Sequence, residues 1–279
     1  MAQPTPPLYA LDPALAVLLR PDGSVQVGWS PRRAVLIRPP RGVTAAGLAA
    51  LLRAMHSPVP ISELHRQPTG LSDHELRDLV GQLVRAGVAT CGARQRSARS
   101  ASIRVHGRGP LSDLLAEGLR CSGARVRQSN QPHAAVTSAD ADLVVLSDNL
   151  VADPRMLREL HSQGVAHLAV RVRDGTGLVG PLVVPGVTSC LGCADLHRRD
   201  RDAAWPAVAA QLRDTVGVAD RATLLATAAL ALSQVNRVIG AVRGINSEPP
   251  AALSATLEFD VHAGSIVARQ WPRHPLCSC

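Results

Sequence analysis

The most regular apolar pattern in the chain runs through residues 72–87. Leu76, Leu79, Val80, Leu83 and Val84 recur at i, i+3, i+4, i+7 and i+8, Ser72 and Glu75 form a capping-box pair, and Gly87 marks the stop. These signals predict an amphipathic helix. Upstream, Leu48, Leu51, Leu52 and Met55 share one face of a predicted helix over 44–55, and 61–67 reads as a shorter helix stopped by Pro68. Runs at 14–20 and 24–29 flank Pro21-Asp22-Gly23 and predict a hairpin. Residues 33–38 add a short strand closed by Pro39 and Pro40, and 88–91 a last one. The Pro-rich stretch 1–13 reads as an extended arm. Strands and helices in this order predict a winged helix-turn-helix of the α+β kind over 1–91, followed by a polar, basic linker over 92–101.

Beyond the linker the pattern turns to alternating strands and helices, so the chain as a whole reads as α/β, with a second domain over 102–279. A strand at 102–107 leads into Gly107-Arg108-Gly109 and a helix over 111–122; 141–149 is a buried parallel strand ending at Asp148. A helix at 153–163, strands at 165–171 and 178–184, a long apolar helix around 224–239 and a closing hairpin, 256–259 with 265–270, complete it. This is the outline of a shortened Rossmann-like domain. The apolar run 222–232 is flanked by Asp220, Arg221, Gln234 and Arg237 and is too short to span a bilayer, so it reads as a buried helix and no membrane partner is expected.

Composition narrows the chemistry. All 30 basic residues among the 279 are arginine. The absence of lysine excludes Schiff-base catalysis and the phosphate-binding lysine of a P-loop. A net charge of +8 invites a nucleic-acid reading, yet the arginines are scattered among 22 acidic residues and aromatics make up only 2% of the chain. The 72–87 helix carries Asp73, Glu75 and Asp78 against Arg77 and Arg85, a balance that phosphates repel. Nucleic acid is therefore not the expected partner. Peptide recognition fits better: a strand could add along 33–38, at Val35 and Ile37, and lay side chains against Leu76 and Leu79. Each of these four residues also reads as core.

Two cysteine pairs carry the strongest chemical signal. Cys190 and Cys193 form a Cys-x-x-Cys knuckle, and Cys277 and Cys279 a Cys-x-Cys knuckle. Two short turns that each aim two sulfurs at one ion predict a structural Zn(2+) site, closed to water, that clamps the tail to the middle of the chain. Disulfides and free thiols stay open as alternatives, as do His197 or His274 as substitute ligands. No secretory-type segment is read at the N-terminus, and the expected setting is cytoplasmic, where thiols stay reduced. Gly107 and Gly109, with Asp148 at the end of a strand, make a weak nucleotide cradle: Ser112 replaces a third glycine and Pro110 removes a donor. The charged run 197–202 reads as a solvated loop or helix start.

A strand with its glycine turn, then DLVVLSDN, GLVGPLVVPGVTSCLGC, a long apolar helix, a terminal hairpin and paired cysteines resemble the ThiF-like members of the E1 ubiquitin-activating superfamily over 102–279. With the N-terminal domain, the chain is similar to ThiF-like leader-peptide-binding proteins of thiazole/oxazole-modified peptide pathways, which carry a PqqD-like recognition domain and serve a YcaO-type cyclodehydratase. The resemblance implies a ribosomal precursor peptide and a YcaO-type enzyme as partners, and a docking surface as the second reading of the charged run 197–202. Asp148 matches the magnesium-binding aspartate of an adenylating E1, making Gly107, Gly109 and Asp148 the remnant of an ATP site. The lysine and the DxD…NLxRQ-like segment of such enzymes are missing; Arg104 and Arg108 are the cations nearest the turn. The expectation is thus a non-catalytic scaffold, with an adenylating enzyme and a winged-helix DNA regulator as rivals. The 224–239 helix reads as core or as the face of an expected homodimer.

Overall fold

A computed structural model describes residues 6–93, 99–131, 137, 139–244 and 248–279. The chain divides into two compact units, Met1–Ser97 and Ala98–Cys279.

In the first unit, β1 (Pro7–Leu11) pairs antiparallel with both β5 (Val59–Pro60) and β6 (Ala89–Ala93). The expected arm is therefore a central strand; only its residues 1–5 lie outside the described residues. β2 (Val17–Leu19), β3 (Val25–Val27) and β4 (Val35–Ile37) form a separate antiparallel sheet in that order. Three helices follow: α1 (Ala45–Ala54), α2 (Ile61–His65) and α3 (Asp73–Arg85). Thr44 caps α1 by accepting from the Gly47 N–H, and Ser72 and Glu75 form the anticipated capping box on α3. Leu48, Leu51, Leu52, Leu76, Val80 and Leu83 interlock as one core with Val17, Val25 and Val27.

The second unit is a seven-stranded sheet in the order β13-β12-β11-β10-β9-β7-β8. β7 (Ser102–His106), β8 (Arg125–Ser129), β9 (Leu143–Ser147) and β10 (His167–Arg173) run parallel. β11 (Thr176–Val183), β12 (Ala255–Asp260) and β13 (Ser265–Gln270) continue antiparallel. α4 (Pro110–Cys121) and α8 (Arg221–Val242) cover one face, where Leu115, Leu119, Ala228, Ala231 and Val235 meet Ile103, Val145 and Val170. On the other face Met156 and Leu160 of α5 (Pro154–Ser162) pack with Val144, Leu146, Val183 and Cys190. α6 (Leu191–Arg201) and α7 (Trp205–Leu212) follow the first cysteine knuckle, so the charged run lies on a helix and its end. α8 is longer than its sequence pattern suggested. Its 22 residues are apolar enough by composition to cross a membrane, but Leu224, Ala228, Ala231, Val235 and Ile239 are core.

Candidate functional site

The N-cap of α6 is Cys190, whose sulfur accepts from the Cys193 N–H at 3.4 Å, so the start of the helix itself shapes the first knuckle. The tail after β13 brings the second pair to it. Sγ–Sγ distances are 3.8 Å for Cys190–Cys193, 3.5 Å for Cys190–Cys277 and 3.4 Å for Cys193–Cys279, and all four sulfurs lie within 4.8 Å of one another. Sulfurs around one zinc at about 2.3 Å stand about 3.8 Å apart, whereas a disulfide needs about 2.05 Å. The spacing therefore fits a shared ion, and all six cysteines are free thiols. A Cβ on Gly192 would come within 3.3 Å of the Cys190 sulfur, so the knuckle has little room for a larger residue.

Burial pushes the Cys190 thiol up. At Cys193 burial also opposes ionisation, but backbone N–H groups of Cys190 and His274, together with the thiols of Cys279 and Cys277, outweigh it and bring the thiol down to about 7. Four thiolates this close repel one another, and a soft divalent cation is what lets them ionise together. With four sulfurs the coordination shell is complete, so such an ion would supply folding energy rather than an activated water. The two histidines considered as substitute ligands hold the tail instead. His274 Nδ1 accepts from the Leu276 N–H at 3.1 Å, which leaves its Nε2 protonated and facing Asp200 at 2.7 Å. His197 Nε2 meets the Pro272 carbonyl at 3.1 Å.

Gly107, Gly109 and Asp148 do come together, in an arrangement that the sequence did not suggest. The N-cap of α4 is Gly109, which has no side chain to satisfy the first helical N–H groups. Asp148, buried and with a positive φ of 71°, does so from the end of β9. Its carboxylate accepts from the Leu111 N–H at 3.0 Å, from the Ser112 N–H at 3.1 Å and from the Ser112 hydroxyl. These are the donors that a phosphate would use at a helix N-terminus. A Cβ on Gly109 would stand 2.6 Å from Asp148 Oδ1, and one on Gly107 would run into the Ser147 carbonyl, so both glycines make room for this carboxylate strand end. The segment after α7 straps over the same edge: Thr215 accepts from Leu150 at 2.9 Å, Asp148 from Gly217 at 3.2 Å, and Arg213 from the Asn149 side chain at 3.1 Å. The cleft left beside Gly107 and Arg108 measures about 100 Å³. Arg104 turns its Nε to the Ser129 hydroxyl at 2.8 Å.

In the first unit, Leu76 and Leu79 are buried in the core, one of the two readings their sequence pattern left open. Val35 and Ile37 are half-buried against that core. Between them Leu36 stands 59% exposed, level across β3 with Leu18. β4 is an edge strand. Hydrogen bonds from Arg20 to Ser24 and from Gly28 to Ala16 fix the alternation in this sheet. Val25 and Val27 therefore face β4, and the Leu36 N–H and C=O point outward along the edge.

A cavity of about 330 Å³ over β10–β12, beneath α6 and α7, was missed from sequence. Arg171, Arg198, Trp205 and Trp271 line it, and Arg171 had been only the last residue of the strand predicted at 165–171.

No protein-family model matches this sequence, and no curated protein does. Solved structures do match. A heterocyclase in complex with substrate and cofactor superposes with a TM-score of 0.68 at 14% identity, covering 98% of this chain and 39% of its own. The heterocyclase TruD gives 0.67 at 16%, covering 98% and 42%. E. coli MccB with ATP gives 0.61 at 13%, covering 97% and 99%. The chain thus spans about two fifths of the length of the heterocyclases it matches and nearly all of MccB. At such identities the likeness establishes a shared fold.

Proposed function

We propose that this protein binds the leader of a ribosomal precursor peptide through its first unit and presents it to a YcaO-type cyclodehydratase, with the second unit serving as a non-catalytic, zinc-clamped E1-like platform. The likeness to heterocyclases, and to the microcin C7 enzyme MccB, solved with N-formylated MccA, supports a peptide-modifying context. The open edge of β4, with Leu36 and Leu18 exposed beside it, suits an added peptide strand. The observation that carries the non-catalytic reading is Asp148: its carboxylate is committed to the α4 N-terminus, where a nucleotide phosphate would otherwise sit. Adenylyl transfer needs cations around several phosphate charges, and a chain without lysine, with an anion in that cradle, is poorly equipped for it. A homodimer and a cytoplasmic setting belong to the same proposal.

The test is a titration of the full chain with leader-type peptides encoded beside its gene. Leu36→Pro removes the one outward donor of β4 without taking a bond from the sheet, and is expected to weaken binding at least tenfold. Binding unaffected by this change, or no binding of any such peptide, refutes the proposal. The rival reading, a ThiF-like adenylating enzyme, is favoured by the fit to MccB along its whole length, a protein solved with ATP. ATP-pyrophosphate exchange on adding a peptide would establish that reading over the scaffold.

A further inference from the structure

The cavity over β10–β12 has an unusual charge balance. Five arginines and three carboxylates line it, leaving two positive charges in excess. All three carboxylates are committed. Glu258 accepts from Arg269 at 2.8 Å and lies 4.0 Å from Arg173. Asp195 takes Arg198 at 2.7 Å and the Trp205 indole N–H at 3.3 Å. Asp202 caps the Ala204 N–H at 2.9 Å. Arg198 is held further by two rings, its guanidinium 5.2 Å from Trp205 and 4.8 Å from Trp271.

Arg171 has no such arrangement. It rises from β10 into the cavity and is only 7% exposed, and its guanidinium makes no hydrogen bond or ion pair with any described residue. Burial, reinforced by the like charges of Arg198 and Arg173 and only partly offset by Asp195 and Glu258 at longer range, brings its guanidinium down to about 10, so it still carries its charge at neutral pH. A buried, charged and unpaired guanidinium is strongly unfavourable unless something answers it. Apart from Thr256, the walls that do not carry charge are largely apolar, with Leu178, Leu191 and Leu212 among them, and the volume falls in the range of small-molecule sites.

We infer that this cavity binds an oxyanion carried on a small apolar body, the anionic head pairing with Arg171 and the body lying against the leucine and tryptophan walls. Arginine's planar fork matches a carboxylate or a phosphate with two parallel hydrogen bonds. The site belongs wholly to the second unit, so it stands or falls independently of leader binding at β4.

The experiment uses the full zinc-loaded chain and three probes: N-acetyl-L-leucine, its neutral amide, and inorganic phosphate, each followed by calorimetry and by the thermal midpoint. The acid is expected to bind and raise the midpoint, the amide to bind at least tenfold more weakly, and Arg171→Met to abolish both signals. The same variant without ligand should melt no lower than the parent, since it removes an unanswered buried charge. Phosphate that binds in place of the acid, and is lost with Arg171→Met, also supports the site and assigns its head group. Failure of both anions to bind, equal binding of acid and amide, or equal binding by Arg171→Met overturns the inference. If that variant does not fold, the comparison of acid with amide on the parent decides.

Discussion

Asp148 offers the sharpest test, because a structural cap and a magnesium ligand respond oppositely to its removal. Asp148→Ala deletes an acceptor that serves the Leu111 N–H, the Ser112 N–H and the Ser112 hydroxyl, all buried. Hydrogen bonds to a charged partner contribute about 1.5–3 kcal/mol each, and loss of an N-cap alone costs about 1–2 kcal/mol. Removing the carboxylate's own desolvation cost offsets part of the sum, so the expected loss is about 3–5 kcal/mol. Asp148→Asn keeps one acceptor oxygen and suits the left-handed backbone at φ 71°, so it should cost only about 1–2 kcal/mol. The assay is urea unfolding followed by tryptophan fluorescence in a Trp29→Phe background. Trp29 is the one tryptophan of the first unit, and Trp205 and Trp271 then report the second unit alone. The midpoint should fall in the order parent, Asn, Ala at an unchanged slope. If Asp148→Ala unfolds within about 0.5 kcal/mol of the parent, near the effect of an ordinary surface change, the carboxylate is not holding α4 and the case against a nucleotide there collapses.

Three further outcomes are expected. The purified chain should hold one zinc, which Cys277→Ser or a strong chelator releases with a loss on the order of 10 kcal/mol from the second unit; a chelator-resistant, metal-free chain refutes the site. His167 is buried, its Nδ1 is 3.0 Å from the Val165 carbonyl, and burial lowers its pKa from 6.5 to about 4. The unfolded chain therefore takes a proton between pH 6.5 and 4 that the folded chain refuses. Stability should accordingly fall as the pH drops, by about 2 kcal/mol at pH 5, and His167→Phe should flatten that slope in pH-dependent urea melts. Gly109→Ala should destabilise the second unit by at least 1 kcal/mol through its clash with Asp148, read in the same urea melts.

Local chemistry was legible in the residues themselves. α3 could be read from its apolar period, its capping box and Gly87, because all its determinants lie within one stretch of chain. The four cysteines could be paired by spacing, because a short turn fixes two sulfurs whatever surrounds it. Features that depend on distant neighbours were not legible. β1 looked like a Pro-rich arm, since its strand character comes from pairing with β5 and β6, about fifty and eighty residues away. β8, RVRQS, was overlooked because it is a polar edge that only β7 completes. Arg171 was only the end of a predicted strand, and Arg173 lay beyond it, until α6 and α7 closed over that face and left the Arg171 guanidinium without a hydrogen-bond partner among the described residues. Asp148 shows the division most clearly. The sequence determined that an acidic group ends β9 near a glycine turn, while tertiary structure decided whether that group would await a phosphate or replace one. The reason is that the donors of α4, and the strap at 213–217, reach Asp148 only once the sheet is assembled.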